Sequence, residues 1–234
     1  MLQSHPMMIE EATWIGRQLA ALPANAISPL LDIGSGDPQY RAQIHPYIET
    51  LIFAPLRKRG VQIIRTDLQP AEGIDFVGDM FDDNHLDTLA SALPRAVVCS
   101  NVHEHVTSPA ELSRRYLALL PLGGYAAVTV PHSYPYHRDP IDTLFRPGLD
   151  ELRAIHPGTS VISESLIAEH SYGYEIKERP LRLLADMARL PRVLFDTRTL
   201  RHWRPMWLRH RYLVSCVLLR KDADSRLDRA VGTA

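Results

Sequence analysis

Apolar residues recur along this chain in two rhythms. From Met8 to Leu22, the positions Ile9, Ala12, Ile15, Leu19 and Leu22 keep close to a helical period, and Pro23 closes the run. Elsewhere they come in short runs of strand length, in Leu30–Ile33, Gln62–Asp67, Ile74–Met80, Ala96–Asn101 and Ala126–Pro131. Unbroken rather than alternating runs mark strands covered on both faces, as in a parallel sheet. Helical spacing fills the intervals. Tyr40–Arg59 predicts helix with a break near Pro46 and a second candidate break at Pro55. Pro109–Leu120 predicts an amphipathic helix, with Leu112, Tyr116 and Leu120 on one side, Leu119 nearby, and Glu111, Arg114 and Arg115 toward solvent. Leu149–His156 continues as helix, Val161–Glu169 reads as a sixth strand and Tyr212–Leu219 as the last. Strands that alternate with helices imply one doubly wound α/β sheet, which takes its ligand outside the carboxyl ends of the strands.

Those ends carry the chemistry. In Leu30-Leu31-Asp32-Ile33-Gly34-Ser35-Gly36-Asp37 an apolar run ends in an acid, and two glycines follow at alternate positions. Gly34 and Gly36 let the backbone turn tightly and approach a ligand, and the next segment can start a helix whose free N–H groups point back over them. A dinucleotide cradle needs G-x-G-x-x-G and an acid about 20 residues further on. Gln39 holds the third glycine position, and the next strand-end acid, Asp67, comes 31 residues after Gly36. An NAD-dependent oxidoreductase is disfavoured on that ground.

The D-x-G-x-G of Asp32, Gly34 and Gly36 resembles motif I of class I S-adenosylmethionine (SAM)-dependent methyltransferases, and landmarks downstream repeat the likeness in order. Ser100-Asn101-Val102-His103-Glu104-His105-Val106 is close to that family's S-N-x-x-E-H-V, although the family has an apolar residue where His103 stands. The helix Pro109–Leu120, the turn Leu120-Pro121-Leu122-Gly123-Gly124 and the strand behind it are a further landmark. The likeness covers about residues 28–170 and the last strand. It implies a Rossmann-like, mostly parallel sheet with an antiparallel last strand, and S-adenosyl-L-methionine as cofactor. It also implies roles for the strand ends. Asp32 orients the methionine end over Gly34, Ser35 and Gly36, and Asp67, next to Leu68, accepts the ribose hydroxyls. Asp79 meets the adenine amine with Met80 against the ring, and Asn101 and Val102 complete the site.

Pro131–Asp142 follows the fifth strand and should overhang the cofactor mouth. His132, Tyr134, Tyr136, His137, Asp139 and Asp142 crowd this proline-stiffened loop, a combination suited to a polar acceptor such as a sugar hydroxyl. The stretch P-Y-H-x-D-P-I-D, followed by Phe145-Arg146-Pro147, also resembles a methyltransferase subgroup of surface-glycan biosynthesis, which implies a glycan or glycolipid acceptor. Methyl transfer to oxygen needs a base near the hydroxyl. His105, His132 and His137 are the candidates, with Asp139 as an alternative base or the orienter of one of them. His103, Glu104, His105, His137 and Asp139 are also metal-ligand types, but His-Glu-His lacks the H-E-x-x-H spacing that puts two imidazoles on one helix face, so no metal is assigned.

Composition narrows the setting. The 234 residues suffice for one large α/β domain, and 45% hydrophobic with 23% charged residues is ordinary for a soluble globular chain. Cys99 and Cys216 are too few for a disulfide framework, and no leader-like segment or run of about 18 apolar residues appears, so a cytoplasmic setting is expected. The net charge of −1 points to no nucleic-acid partner, but it is unevenly spread. From Lys177 to Arg211, ten Lys/Arg stand against three acids, interleaved with Leu183, Leu184, Met187, Leu190, Leu194, Phe195, Trp203, Met206 and Trp207. Such a segment reads either as a lid over the substrate or as a face that docks on a partner or on the inner membrane surface. The expected organisation is an N-terminal helix in 1–27, a cofactor domain in 28–170 and 212–221, the basic insertion in 171–211 and a flexible tail in 222–234. The rival to an enzyme is a catalytically silent scaffold that docks through Arg182–Trp207.

Overall fold

The computed structural model describes residues 7–136, 141–178, 181–188 and 204–223. Seven strands build one sheet: β1 (Leu30–Ile33), β2 (Ile63–Asp67), β3 (Phe76–Val77), β4 (Ala96–Ser100), β5 (Tyr125–Ser133), β6 (Thr159–Ser171) and β7 (Arg211–Lys221). Their order is β3-β2-β1-β4-β5-β7-β6. The pairs from β3 through to β5 are parallel, and β7 runs antiparallel between β5 and β6. This is the expected doubly wound sheet with an antiparallel last strand. The chain starts in the middle, builds outward to β3 and then crosses to β4 on the other side of β1. The carboxyl ends of β1 and β4 therefore lie side by side at the switch of direction, where such sheets bind ligands.

Both faces are covered, which accounts for the unbroken apolar runs. Leu31, Ile33, Val97, Cys99, Val128 and Val130 pack toward α6 (Asp83–Ser91), α7 (Pro109–Leu119) and α8 (Leu149–Ala154). Leu30, Ala96, Val98, Ala127 and Leu218 face the other way, toward α1 (Ile9–Ala20) and the helical stretch that ends at Lys58. A short α2 (Ala24–Ile27) leads into β1, and α3 (Pro38–Ile44) follows it. The chain breaks before Pro46 as expected. It does not break at Pro55: α4 (Pro46–Ile48) runs through a wide turn at Glu49–Phe53 into α5 (Ala54–Lys58). There the Ala54 N–H reaches back five residues to the Glu49 carbonyl, and the widened turn accommodates a proline that has no N–H to donate.

α1 differs from the reading of its pattern in one respect. Ile9 is half exposed, and the buried face is Glu11, Ile15 and Leu19, with Ala12. An acid lies within the apolar stripe. In the insertion, α9 (Tyr172–Glu178), α10 (Leu181–Ala188) and a tight turn at Arg204–Trp207 surround a small cluster of Met8, Tyr134, Tyr172 and Tyr212. Residues 189–203 of that insertion, and the tail from 224, lie outside the described residues. No helix among those described is long and apolar enough to cross a membrane.

Candidate active site

After Ile33 the chain turns over the end of β2, where the Gly34 and Ser35 N–H groups both donate to the Thr66 carbonyl (3.0 and 3.4 Å). Gly34 and Gly36 take φ of +66° and +64°, backbone that other residues adopt at a cost. At Gly34 space is a second reason, since an added Cβ would stand 2.6 Å from Val102 Cγ2. At Gly36 nothing among the described residues lies within 4 Å of that position, so the crest of the loop is open. The Gly36 N–H donates to Asp67 Oδ2 at 2.8 Å and ties the loop to the end of β2.

Asp32 is 4% exposed and pairs with Arg41 Nη1 at 3.2 Å, and the same nitrogen donates to the Ser35 carbonyl at 2.7 Å. Burial raises the Asp32 carboxyl above its ordinary range, and the charges of Arg41 and Arg65 pull it back. Both guanidinium groups stand over the Phe53 ring, at 5.0 and 5.7 Å from its centroid. Asp67 also accepts from the Gln69 N–H at 3.0 Å, and Leu68 beside it is exposed. The Gly78 N–H donates to the Asp67 carbonyl at 3.0 Å, which brings exposed Asp79 to the same edge. Met80 instead turns into the core of the α6 and α7 face.

Asn101 follows β4 directly with φ +53°, a left-handed conformation that Asn tolerates better than most residues. Its N–H donates to the Thr129 carbonyl at 2.9 Å, and its amide donates to both carboxylate oxygens of Glu11, at 3.1 and 3.3 Å. Asp32, Gly34, Ser35, Gly36, Asp67 and Val102 thus meet at one loop, Asp79 borders it, and Asn101 stands at the next strand end with its amide turned to α1.

On the acceptor side, His105 Nδ1 lies 2.5 Å from the Ile141 carbonyl and His132 Nδ1 lies 3.0 Å from the Pro147 carbonyl. A carbonyl only accepts, so Nδ1 carries the proton and Nε2 is the basic nitrogen of each ring. His105 Nε2 is 3.8 Å from Glu104 Oε1. Glu104 is fully buried, and neither carboxylate oxygen has a hydrogen-bond partner among the described residues. Burial pushes its carboxyl up to about 8; Arg146 opposes the shift, and Asp142 and Glu11 add to it. It is a neutral acid at pH 7. The Thr143 N–H and hydroxyl hold the Glu104 carbonyl at 2.9 and 3.0 Å, and Arg146 grips Asp142 through two bonds of 3.0 and 2.6 Å.

His103 turns the other way, into the core, where Nε2 meets Ser113 Oγ at 3.1 Å and Nδ1 meets Cys99 Sγ at 3.8 Å. Among the described residues no group of three His, Cys, Asp or Glu is arranged to hold a metal ion. His137 and Asp139 lie outside the described residues. Three residues that the structure brings to these strand ends escaped the reading of the sequence. Arg41 gave no signal, because nothing in the pattern aims a helix residue back at Asp32. Glu104 stands in the sequence as the acid of the S-N-x-x-E-H-V stretch and as a metal-ligand type, and neither reading marks it as a buried neutral carboxyl. Glu11 did give one: it stands four residues before Ile15 and eight before Leu19, on the face that packs.

No protein-family model and no curated protein sequence matches this chain. Solved structures do. A Galdieria sulphuraria protein assigned as a sarcosine dimethylglycine methyltransferase superimposes with a TM-score of 0.55 at 17% identity, over 92% of this chain and 85% of that one. A SAM-dependent methyltransferase from Archaeoglobus fulgidus gives 0.54 at 14% identity, over 92% and 95%. Coclaurine N-methyltransferase, bound to N-methylheliamine and S-adenosylhomocysteine, gives 0.52 at 11% identity, over 91% and 70%. At such identities the likeness is one of fold, and the fold is the Rossmann-like one of class I SAM-dependent methyltransferases.

Proposed function

We propose that the protein is a SAM-dependent methyltransferase. The observation that carries this reading is the open crest at Gly36, whose N–H is fastened to the strand-end carboxylate of Asp67. The side chains around it suit the cofactor's parts. Asp67 retains acceptor capacity for ribose hydroxyls, and Asp79 offers an exposed carboxylate for the adenine amine. Asp32 and Arg41 would take the ammonium and carboxylate of the methionine end, the pairing that their opposite charges favour. The cofactor supplies a methyl group on a sulfonium, and the chain's work is to hold the acceptor in line with it and to remove a proton.

For the acceptor we infer a hydroxyl on a small molecule, glycan or glycolipid, with a histidine or aspartate base. The support is the run of aromatic, imidazole and carboxylate groups that the sequence places at the end of β5 and in the segment behind it. The Nε2 atoms of His105 and His132 are basic, while His137 and Asp139 are candidates from the sequence alone. Calorimetric titration with SAM tests the cofactor: micromolar-range binding in the wild type, lost in both Asp32→Ala and Asp67→Ala, is expected, and a wild type that binds none overturns the reading. The acceptor proposal falls if alanine at each of His105, His132, His137 and Asp139 leaves turnover of the acceptor unchanged.

A second reading, docking through the insertion, is favoured by α10. Leu181, Leu184 and Met187 are 76%, 67% and 43% exposed on a segment with a net charge of +7 from Lys177 to Arg211. Flotation with anionic vesicles, compared between wild type and a Leu181→Ser/Leu184→Ser variant, separates a docking face from a lid over the substrate.

A further inference from the structure

One buried acid joins the N-terminal helix to the strand ends. Glu11 lies in the first turn of α1 with no exposed surface. Its Oε1 accepts from the Thr129 hydroxyl on β5 at 2.5 Å. The Asn101 amide bridges both of its oxygens, and Oε2 also accepts from the Met8 N–H at 3.1 Å. The Glu11 N–H donates in turn to Glu169 Oε1 on β6 at 2.8 Å. One residue therefore fastens α1 to two strands and to the end of a third. The partner at that third strand is Asn101, the left-handed residue beside Val102 and the glycine loop.

We propose that Glu11 is a positioning residue: it couples closure of α1 over the strand ends to the placement of Asn101, and the proton on its carboxyl sets the closed state. The ionisable groups that face it are Glu169 from β6, Tyr47 from α4, Cys216 from β7 and Glu104 from the turn after β4, and none of them is a cation. Burial pushes the Glu11 carboxyl up to about 7 against the hydrogen bonds from Thr129, Met8 and Asn101, and the neighbouring Glu169 adds to the rise. When α1 lifts away, the carboxyl returns to water and to its ordinary value of 4.5. Closure therefore takes up a proton between those two values, is favoured as pH falls through 7, and weakens as pH rises. From pH 6 to pH 8 this linkage raises the opening constant of α1 about tenfold.

Hydrogen exchange of the full chain without ligand, at pH 6 and pH 8 and corrected for intrinsic amide rates, reads that constant directly. The α1 amides of the wild type should open about tenfold more at pH 8, and Glu11→Gln should lose the difference. Glutamine can stand in for the protonated acid: at the Oε1 position either one donates to Thr129 Oγ1, the reverse of the bond a carboxylate accepts there, and the other oxygen accepts from Met8. The second amide hydrogen of glutamine meets Asn101 Oδ1 once that amide flips. Glu11→Ala should lose α1 protection at both pH values, while interior amides of β4 and β5 report that the sheet is intact. A wild-type α1 that opens equally at both pH values overturns the latch, as does a pH dependence that survives in Glu11→Gln. The coupling to Asn101 rests on the methyltransferase reading and is measured separately with SAM. SAM should protect α1 in the wild type, and Glu11→Ala should bind it about tenfold more weakly, as expected for loss of the buried hydrogen bond that places Asn101. SAM that binds without changing α1 exchange, or equally well to Glu11→Ala, overturns the coupling. A wild type that binds no SAM overturns the methyltransferase reading and the coupling with it, whereas the ligand-free exchange still decides the latch.

Discussion

Cys99, His103, Ser113, Tyr116 and His156 are all buried on the α7 face of the sheet, and one chain of hydrogen bonds pairs their polar atoms. His156 Nδ1 donates to the Leu152 carbonyl at 2.6 Å, so its Nε2 accepts from the Tyr116 hydroxyl. Ser113 Oγ lies 3.1 Å from His103 Nε2 and 3.1 Å from the Pro109 carbonyl, and Cys99 Sγ closes on His103 Nδ1. Burial keeps both imidazoles neutral, lowering His156 to about 4 and His103 well below its ordinary value. A histidine is thus accommodated where an apolar residue was expected, because every nitrogen finds a partner. Ser113→Ala should destabilise the fold by about 1–3 kcal/mol in urea unfolding, the cost of buried polar groups left unpaired, and leave SAM affinity unchanged. Glu104 is the opposite case, a buried carboxyl without a hydrogen bond among the described residues. Its folded value of about 8 exceeds its ordinary 4.5. Its contribution to stability is therefore complete below pH 4.5 and lost as pH rises through 8, by at most about 1.4 kcal/mol per pH unit. Glu104→Gln should remove that alkaline loss and be relatively more stable than the wild type at pH 9 than at pH 6.

Two small features decide how α1 sits on the sheet. Pro55 cannot donate to the Leu51 carbonyl, and that carbonyl faces the bare Cα of Gly16, where an added Cβ would stand 2.1 Å from the oxygen. The proline and the glycine, far apart in the chain, make one close helix–helix contact. Gly16→Val should force the helices apart, lower stability by about 1–3 kcal/mol and raise hydrogen exchange along α1. The break at Pro46 was legible, since a proline after a helical run stops it. The absence of one at Pro55 was not, because a widened turn is chosen by what packs against it. In the same way β6 and β7 run beyond their apolar patterns, to Ser171 and Lys221, because each is the other's antiparallel partner along that length, through two shifts of register.

At the scale of the whole molecule the buried ionisable groups oppose one another. Glu11 and Glu104, raised to about 7 and about 8, favour folding at low pH and lose that contribution as pH rises through those values. His156, lowered to about 4, and His103, also lowered by burial, contribute stability that is complete above their ordinary 6.5 and lost as pH falls. The two trends cross, so unfolding free energy should peak at about pH 5 to 6 and decline toward pH 8, which urea unfolding across that range checks. The sequence alone determined the architecture and the glycine turn on which the proposed cofactor site is built. Strands covered on both faces must be continuously apolar, and the turn after β1 needs glycine at Gly34 and Gly36, so both requirements are met by residues adjacent in the chain. Tertiary structure alone decided which polar groups stand together. Glu11 reaches Asn101 across 90 residues, Arg41 turns back onto Asp32, and His103 and His105, two positions apart, face the core and the loop. An ionisable group's burial, and hence its charge, depends on the distant segments that close over it, and a one-dimensional pattern does not contain that contact.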